Sequence, residues 1–217
     1  MYRLKPATCA TSKIFIVGCG LGSARHLTQE AIAAVDSSEA LVGYKRLMDL
    51  FPCFKGVRIV LGSNVKAGIE QIEALRHLGN VAVLVSGDPG CFSLAKLIVK
   101  RFGREKCIVI PGISSVQTAF ARLCLEWADA RIVSVHGSFP DEEEERTLLD
   151  QPKIAVLLGK RDSIPWLTSF LKKASGSRRI FVCQNLGLDD ESVTEVTETE
   201  LATLTISSRT VVILLEN

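Results

Sequence analysis

Three things that this 217-residue chain lacks limit what it can do. Its formal net charge is only +2, so we do not expect non-specific binding to nucleic acid. No hydrophobic run approaches the roughly 18 apolar residues of a membrane-spanning helix, so we expect no membrane partner. The amino terminus, MYRLKPATCATSK, has no apolar core and is therefore not expected to be a signal peptide.

The chain also lacks closely spaced cysteine pairs and has few histidines. The cysteines are scattered without CxxC or CxxxxC spacing, at Cys9, Cys19, Cys53, Cys91, Cys107, Cys124 and Cys183. Such a set is typical of reduced, buried thiols, which predicts a cytoplasmic protein without a metal site. With only His26, His77 and His136 present, the sequence offers at most one candidate base.

What the chain does have is an alternation of short apolar runs and helix-like stretches. Hydrophobic residues make up 47% of it, and its length suffices for one large domain or two small ones. The first predicted strands are Ile14–Val17, Ala40–Val42, Val57–Leu61, Val81–Val85 and Cys107–Ile110. Helical spacing covers Leu27–Val35, Val65–Leu78, Ser93–Phe102 and Ser114–Leu123. Apolar strands separated by helices predict a mostly parallel sheet that is covered on both faces.

The ends of two of these helices carry capping signals. Thr28 is the predicted cap of the first helix, and either Ser63 or Asn64 caps the second. In the second helix, Leu78 is expected to continue the apolar face.

A second β-rich section begins near Arg131. Its predicted strands are Arg131–Val135, Ile154–Leu158, Ile180–Cys183, Val193–Val196 and Thr210–Leu215. We place the domain boundary just before this section, which gives domains of residues 1–128 and 129–217. The acidic run Asp141–Glu145 follows Pro140 and is predicted to be a solvated first helical turn, because the helix dipole favours carboxylates there.

Glycine-containing turns follow three of the predicted strands, at Gly18–Ser23, Ser86–Gly90 and Pro111–Ser115. If the strands are parallel neighbours, the turns open on one edge of the sheet, where α/β proteins bind small ligands. Each turn also has a purely structural interpretation. Gly-Asp-Pro-Gly is common turn chemistry, the first turn can serve only strand–helix packing, and Ser114 can be an ordinary N-cap.

The first turn does not fit an ordinary dinucleotide-binding loop. A GxGxxG loop would place its third glycine where this chain has Ser23. It would also need an acidic residue about 20 residues further on, at the end of the second strand. The chain has no acid there, since it reads Leu41-Val42-Gly43-Tyr44.

Together the three turns resemble those of the tetrapyrrole methylase family, S-adenosylmethionine-dependent enzymes with two α/β domains. The VGxGxG-like, GDPxxxS-like and PGxSS-like segments of that family match Val17–Gly22, Gly87–Ser93 and Pro111–Ser115. The chain looks most like the branch that methylates C-5 of precorrin-7 or cobalt-precorrin-7 in cobalamin biosynthesis. The matching segments are Val42–Leu47, Leu50–Pro52, Trp127–Arg131, Ser134–Gly137 and Asn185–Gly187.

The resemblance covers nearly the whole chain and implies a specific architecture. The first domain would hold a mostly parallel sheet and the second a mixed sheet, with the active site in the cleft between them. It further implies a small-molecule tetrapyrrole substrate, a homodimer and a separate partner enzyme for methylation and decarboxylation at C-15. Whether the substrate contains cobalt stays open.

The same resemblance implies a binding site for S-adenosylmethionine. Its residues would be Leu21, Gly87, Asp88, Cys91, Ser114 and Ser115 in the first domain, and Leu158, Leu186 and Thr210 in the second. Cys91-Phe92 departs from the family pattern, because relatives usually have two aromatic residues there.

The substrate carries many carboxylates, which call for cations near the site. Lys45 and Arg46 follow the second strand and are predicted to bind them, unless they are simply a solvated pair. Gly18 and Gly20 would let the substrate approach the backbone. His136 is either a positioning or proton-handling group or a structural histidine at a strand end. After His136-Gly137, Ser138 stands where this branch often has arginine.

No catalytic residue is certain from the sequence, since a reduced tetrapyrrole supplies its own electron-rich carbon. Two other classes of function remain open. A non-catalytic nucleotide-binding module would also explain the glycine turns. It would bind a nucleotide but not S-adenosylhomocysteine. A sister methylase acting on ribosomal RNA or a protein side chain would keep the cofactor site, and an RNA enzyme should show a stronger basic patch.

Overall fold

The computed structural model of the chain describes residues 12–62, 64–159, 162–174 and 176–216. The amino-terminal segment MYRLKPATCATSK lies outside these residues, apart from Ser12 and Lys13. Cys9 and the alternative cap Ser63 lie outside them as well. The chain divides into two compact units, Met1–Gly112 and Ile113–Asn217, which we call the first and second units. This division places the helix after Gly112 in the second unit, whereas our sequence boundary at residue 128 keeps it in the first.

The described part of the first unit forms five strands and four α-helices. They are β1 (Ile14–Gly18), α1 (Gln29–Asp36), β2 (Ala40–Gly43), α2 (Lys45–Met48), β3 (Val57–Val60), α3 (Val65–Leu75), β4 (Val81–Val85), α4 (Ala95–Phe102) and β5 (Cys107–Ile110). The strands pair in the order β3-β2-β4-β1-β5, and every pair is parallel. The predicted parallel sheet is confirmed.

Both faces of this sheet are covered, as near-continuous apolar strands require. Along β1, Ile14 and Ile16 pack on one face in a core that includes Ile72 of α3 and Ile98 of α4. Val17 faces the opposite way, into a core built with α1 and α2.

The helix ends test the capping predictions. The Thr28 hydroxyl accepts a hydrogen bond from the Ala31 amide at 3.0 Å, which confirms the predicted cap. Asn64 caps α3 through the Ala67 amide. The prediction for Leu78 was wrong, because α3 ends at Leu75 and the chain then turns, leaving Leu78 exposed.

The second unit has a mixed sheet, as the resemblance implied. Its described elements are α5 (Ser115–Arg122), β6 (Arg131–Ser134), α6 (Glu142–Leu149), β7 (Lys153–Leu158), α7 (Ser163–Lys173), β8 (Arg178–Gln184), β9 (Ser192–Val196), α8 (Glu198–Thr203) and β10 (Thr210–Glu216). The strand order is β6-β7-β10-β8-β9. Only β6 and β7 pair in parallel, and the other neighbours are antiparallel.

The acidic run begins a helix, as predicted. Asp141 is the N-cap of α6, and its carboxylate accepts hydrogen bonds from the Glu143 and Glu144 amides. Among the described residues, no helix is both long and apolar enough to cross a membrane.

Candidate functional site

Three glycine-containing turns converge at the carboxyl edge of the first sheet. Strand β1 lies between β4 and β5 and pairs with both in parallel, so the turns after these strands emerge side by side. The turns after β1 and β4 are joined by two backbone hydrogen bonds, from Gly20 N to Gly87 O at 3.3 Å and from Gly87 N to Gly20 O at 2.8 Å. The convergence predicted from the sequence is confirmed within this unit.

Gly18 and Gly112 bring the turns after β1 and β5 into backbone contact. A β-carbon built on Gly112 would lie 2.5 Å from the Gly87 carbonyl oxygen and 2.8 Å from the Gly18 carbonyl carbon. One built on Gly18 would lie 2.6 Å from the Gly112 nitrogen. Because these neighbours are backbone atoms, they cannot rotate away to make room. We call Gly18, Gly20, Gly87 and Gly112 the glycine cluster.

Leu21 occupies the first turn between two glycines in the left-handed region. Gly20 has φ of 59° and Gly22 has φ of 86°, conformations that residues with a β-carbon rarely adopt. The half-buried Leu21 side chain is therefore held at the sheet edge by the bend on either side of it.

The Asp88 carboxylate fastens two of the turns together. Its Oδ1 accepts a hydrogen bond from the Gly90 amide at 2.7 Å, and its Oδ2 accepts one from the Gly112 amide at 3.1 Å. Asp88 therefore shapes this edge of the sheet through the hydrogen bonds that its carboxylate accepts from backbone amides. The sequence did not reveal this structural role, because Gly112 lies 24 residues further along the chain.

The two cysteines of this edge are protonated thiols at neutral pH. Burial raises the pKa of Cys19 to about 12, although the nearby Arg46 charge acts in the opposite direction. Burial also raises the pKa of the half-buried Cys91 thiol, and the Asp88 carboxylate adds to that shift. Neither thiol is therefore prepared to act as a nucleophile.

Raising the pH above 9 should destabilise each unit through a buried thiol. Burial raises the pKa of Cys19 in the first unit and of Cys183 in the second from 9.0 to about 12. Between these values the unfolded chain has lost the thiol proton and the folded chain has kept it. The free energy of unfolding should therefore fall by up to about 1.4 kcal/mol per pH unit for each thiol. Urea titrations of Cys19→Ala and Cys183→Ala should show a shallower fall, and slopes equal to that of the wild type would contradict this explanation.

Lys45 and Arg46, predicted as a pair, make different contacts. The Lys45 ammonium bonds Asp49 one helical turn away, at 3.0 Å, and both side chains are well exposed. The Arg46 guanidinium instead donates a hydrogen bond to the Ser86 hydroxyl in the turn after β4. It also lies near Gly22, since a β-carbon on that glycine would be 3.4 Å from Arg46 Nη1. Arg46 is thus the cation that reaches the glycine turns.

Ser114 and Ser115 begin helix α5 in the second unit. The buried Ser114 hydroxyl accepts a hydrogen bond from the Gln117 amide at 3.0 Å, and the Gln117 side chain accepts one from the Ser114 amide. This capping box is the structural role that the sequence left open for Ser114. The half-buried Ser115 occupies the first helical position.

The predicted residues of the second unit share one edge of its sheet. Thr210, at the start of β10, pairs with Leu158 at the end of β7 and with Gln184 at the end of β8. Leu186 is buried two residues beyond Gln184. Strand β10 runs opposite to β7 and β8, so its first residue meets their last ones. Leu158, Thr210 and Leu186 therefore lie at one edge of this sheet, and all three are buried.

Hydrogen bonds fix the loop around this edge. The Thr210 hydroxyl donates to the Ser207 carbonyl at 2.8 Å, and the Gln184 amide oxygen accepts from the Ser207 amide at 2.9 Å. Asn185, with φ of 51°, accepts from the Ser207 hydroxyl. Sequence reasoning missed Gln184 and Ser207, since neither stands in a recognisable motif.

His136 lies at the same edge and packs against a glycine. Strands β6 and β7 pair Ser134 with Leu157, which brings the residues two positions on, His136 and Gly159, side by side. A β-carbon built on Gly159 would collide with the imidazole of His136, most closely with Nδ1. The ring is exposed, and Gly159 is what leaves room for it.

Replacing Gly159 with alanine should displace the His136 ring without unfolding the protein. The exposed imidazole can rotate away from a new methyl group, so the free energy of unfolding should change by less than about 0.5 kcal/mol. The ring resonances of His136 in an NMR spectrum should shift. Gly176→Ala is the matched control, because a β-carbon there meets open space. Unchanged His136 resonances in Gly159→Ala would contradict the contact.

The second unit also has a groove of about 600 Å³ that contains none of the predicted site residues. It runs between α7 and α8 and is lined by Ile164, Pro165, Thr168, Ser169, Lys172, Ala202, Thr203, Leu204, Thr205 and Ile206. None of the predicted site residues lines it. In the part of the chain that is described, no group of three or more histidine, cysteine or acidic side chains is placed to hold a metal ion.

Comparisons with known proteins identify the family to which the chain is similar. Residues 13–202 match the family described as Tetrapyrrole (Corrin/Porphyrin) Methylases. The cobalt-precorrin-7 C(5)-methyltransferase of Salmonella typhimurium is 31% identical over 179 residues, covering 82% of this chain and 87% of the relative. A Methanocaldococcus jannaschii protein, named probable cobalt-precorrin-7 C(5)-methyltransferase, is 31% identical over 202 residues, covering 87% of this chain and 91% of the relative.

A solved structure shows the same fold. The uroporphyrin-III C-methyl transferase of Thermus thermophilus, crystallised with S-adenosylhomocysteine, matches with a TM-score of 0.76 at 20% identity. The match covers 94% of this chain and 97% of that one.

Two α/β units, with glycine-containing turns at the sheet edge of the first, and these matches together define a methyltransferase. The chain belongs to the tetrapyrrole methylase family, and its cofactor is S-adenosylmethionine. The residues present suit that group. The turns after β1 and β4 leave Leu21, Gly87 and Cys91 partly exposed, so apolar groups and bare backbone are accessible there, whereas Leu158 and Leu186 are buried in this structure.

Proposed function

We propose that this enzyme methylates C-5 of precorrin-7 or cobalt-precorrin-7 in cobalamin biosynthesis. The observation that carries the proposal is the likeness to two relatives of that name over most of both chains. The segments shared with the C-5 branch include Val42–Leu47, which holds the cations at the end of β2, and Ser134–Gly137, which holds His136.

In the cofactor site that we propose, backbone groups and apolar side chains make more of the contacts than charged side chains do. When bound, S-adenosylmethionine supplies a methyl group on a positively charged sulfur. Leu21, Gly87, Asp88 and Cys91 of the first unit would bind it, with Asp88 holding the turns in shape through Gly90 and Gly112. A site with few charges suits this chemistry, because the sulfur loses its positive charge as the methyl group leaves.

Residues of the second unit complete the proposed cofactor set. Ser114 and Ser115 would contribute from the start of α5, and the sheet edge would contribute Leu158, Leu186 and Thr210. The shared register of Leu158 and Thr210 and the burial of Leu186 support their acting together.

The proposed substrate contacts come from both units. Arg46 would bind a carboxylate of the tetrapyrrole, and Lys45 would add positive charge nearby. Gly18 and Gly20 are buried, and other residues of the unit fill the space beside them, so their proposed part in substrate binding rests on the family resemblance alone. His136 would position the substrate or handle a proton, since it is an exposed ring at a sheet edge.

The chain need not supply a nucleophile for this reaction. The electron-rich carbon of the substrate forms the new bond to the methyl group while the carbon–sulfur bond breaks. The enzyme's contribution is then mainly orientation, which is worth about 7–11 kcal/mol of such a barrier when the geometry is good.

We further propose a cytoplasmic homodimer that works with a separate enzyme for the C-15 methylation and decarboxylation. The support for the dimer and the partner enzyme is the family resemblance. The support for the cytoplasm is the set of free thiols, two of them buried, at Cys19 and Cys183.

Titration with S-adenosylhomocysteine in a calorimeter tests the cofactor part of this proposal. We expect saturable binding with one site per chain, and no heat from NAD or ATP at the same concentrations. Binding of a nucleotide but not of S-adenosylhomocysteine would instead support the nucleotide-binding module.

A further inference from the structure

The two cations at the end of β2 differ in what surrounds them. Lys45 is engaged with Asp49 on the exposed surface of its own helix. The side chain of Arg46 extends from the same helix to the turn that follows the neighbouring strand β4. The two residues are adjacent in the sequence, yet only Arg46 contacts the edge that carries the glycine cluster.

Two contacts locate the Arg46 guanidinium. It donates a hydrogen bond from Nη2 to the Ser86 hydroxyl. A β-carbon on Gly22, in the turn after β1, would lie 3.4 Å from its Nη1. The guanidinium thus lies beside the turns that follow both β1 and β4.

We propose that Ser86 is a positioning residue, whose hydroxyl holds the Arg46 guanidinium beside the glycine cluster so that Arg46, and not Lys45, is the main anchor for a substrate carboxylate. This inference rests on the proposed function. Ser86 immediately precedes Gly87, so its hydroxyl is fixed by the same turn that is bridged to Gly20. A long side chain held in this way loses less freedom when it binds a carboxylate bidentately.

Steady-state kinetics of the full chain with S-adenosylmethionine and the tetrapyrrole test the role of Ser86. Ser86→Ala should raise the KM for the tetrapyrrole by roughly threefold to tenfold, the factor that corresponds to ordering one long side chain. Its kcat and its affinity for S-adenosylhomocysteine should not change. Ser86→Thr keeps the hydroxyl and should restore the wild-type KM.

A matched control and a double variant separate this role from a general structural effect. Ser37→Ala also removes a hydroxyl with a hydrogen bond, but Ser37 is the C-cap of α1, before the start of β2, and its loss should leave KM unchanged. Arg46→Met should raise KM more than Lys45→Met does. Adding Ser86→Ala to Arg46→Met should cause no further rise, because Ser86 acts through Arg46.

These measurements distinguish failure of the positioning role of Ser86 from failure of the proposed function. If Arg46→Met raises KM but Ser86→Ala does not, or if the two effects simply add, the positioning role is overturned while the proposed function stands. If Lys45→Met costs as much as Arg46→Met, the distinction between the two cations is overturned. If the wild-type chain binds S-adenosylhomocysteine but turns over neither precorrin-7 nor cobalt-precorrin-7, the proposed function fails and this inference fails with it.

Discussion

Gly112→Ala is expected to lower the free energy of unfolding by about 1–3 kcal/mol, the cost of overpacking a tightly filled site. The added methyl group would lie 2.5 Å from the Gly87 carbonyl oxygen and 2.8 Å from the Gly18 carbonyl carbon. Both neighbours are backbone, so relief requires the turns themselves to move apart. Since these turns carry most of the proposed cofactor residues of the first unit, we expect the affinity for S-adenosylhomocysteine to fall at least about tenfold.

The control for this variant is Gly62→Ala. A β-carbon on Gly62 meets no atom within 4 Å, so the same chemical change should alter stability by less than about 1 kcal/mol and leave binding intact. Chemical denaturation and calorimetry of both variants give the two quantities. A Gly112→Ala protein that is as stable and binds as well as Gly62→Ala would show that the turns are not in close backbone contact.

Asp88→Ala is the second substitution with a large expected effect. It removes the acceptors of the Gly90 and Gly112 amides, and leaving such groups without partners costs about 1–3 kcal/mol. The turns after β4 and β5 would lose their connection, so the affinity for S-adenosylhomocysteine should fall together with stability. Asp88→Asn keeps one acceptor and should lie between the wild type and Asp88→Ala in both measurements.

Asp141→Ala provides a matched control for Asp88→Ala. Asp141 likewise accepts hydrogen bonds from two backbone amides, but as the N-cap of α6, and it is not among the proposed cofactor residues. Its replacement should cost about 0.5–2 kcal/mol, as expected for a helix cap, with no change in cofactor affinity. If Asp88→Ala behaves in the same way, Asp88 is only a turn residue and its place in the cofactor site is lost.

Much of the fold was predictable because its signals are local. Continuous apolar runs such as Val81–Val85 mark strands that are buried on both faces, and all ten strands described in the structure lie where the sequence predicted them. The helix cap at Thr28 and the acidic start of α6 are likewise read from a few adjacent residues. The prediction failed at Leu78, where apolar spacing continued beyond the end of the helix.

The candidate site was less predictable, since its geometry depends on contacts between distant residues. Motifs identified the three glycine turns, but not the close approach of Gly18 to Gly112 or the role of Asp88 in joining them. Likewise, adjacency in the sequence suggested that Lys45 and Arg46 act as a pair. Arg46 reaches Ser86 because β2 lies beside β4, whereas Lys45 bonds Asp49 four residues further along the chain.

The most direct test of the central claim is to follow a labelled methyl group. The protein is incubated with S-adenosylmethionine carrying a carbon-13 methyl group and, in separate reactions, with precorrin-7, cobalt-precorrin-7 and ribosomal RNA, and the products are analysed by mass spectrometry and NMR. We expect one labelled methyl group per tetrapyrrole, attached at C-5, with formation of an equal amount of S-adenosylhomocysteine and no labelled RNA. A label at another carbon, label in the RNA, or cofactor binding without transfer to either tetrapyrrole would contradict the account.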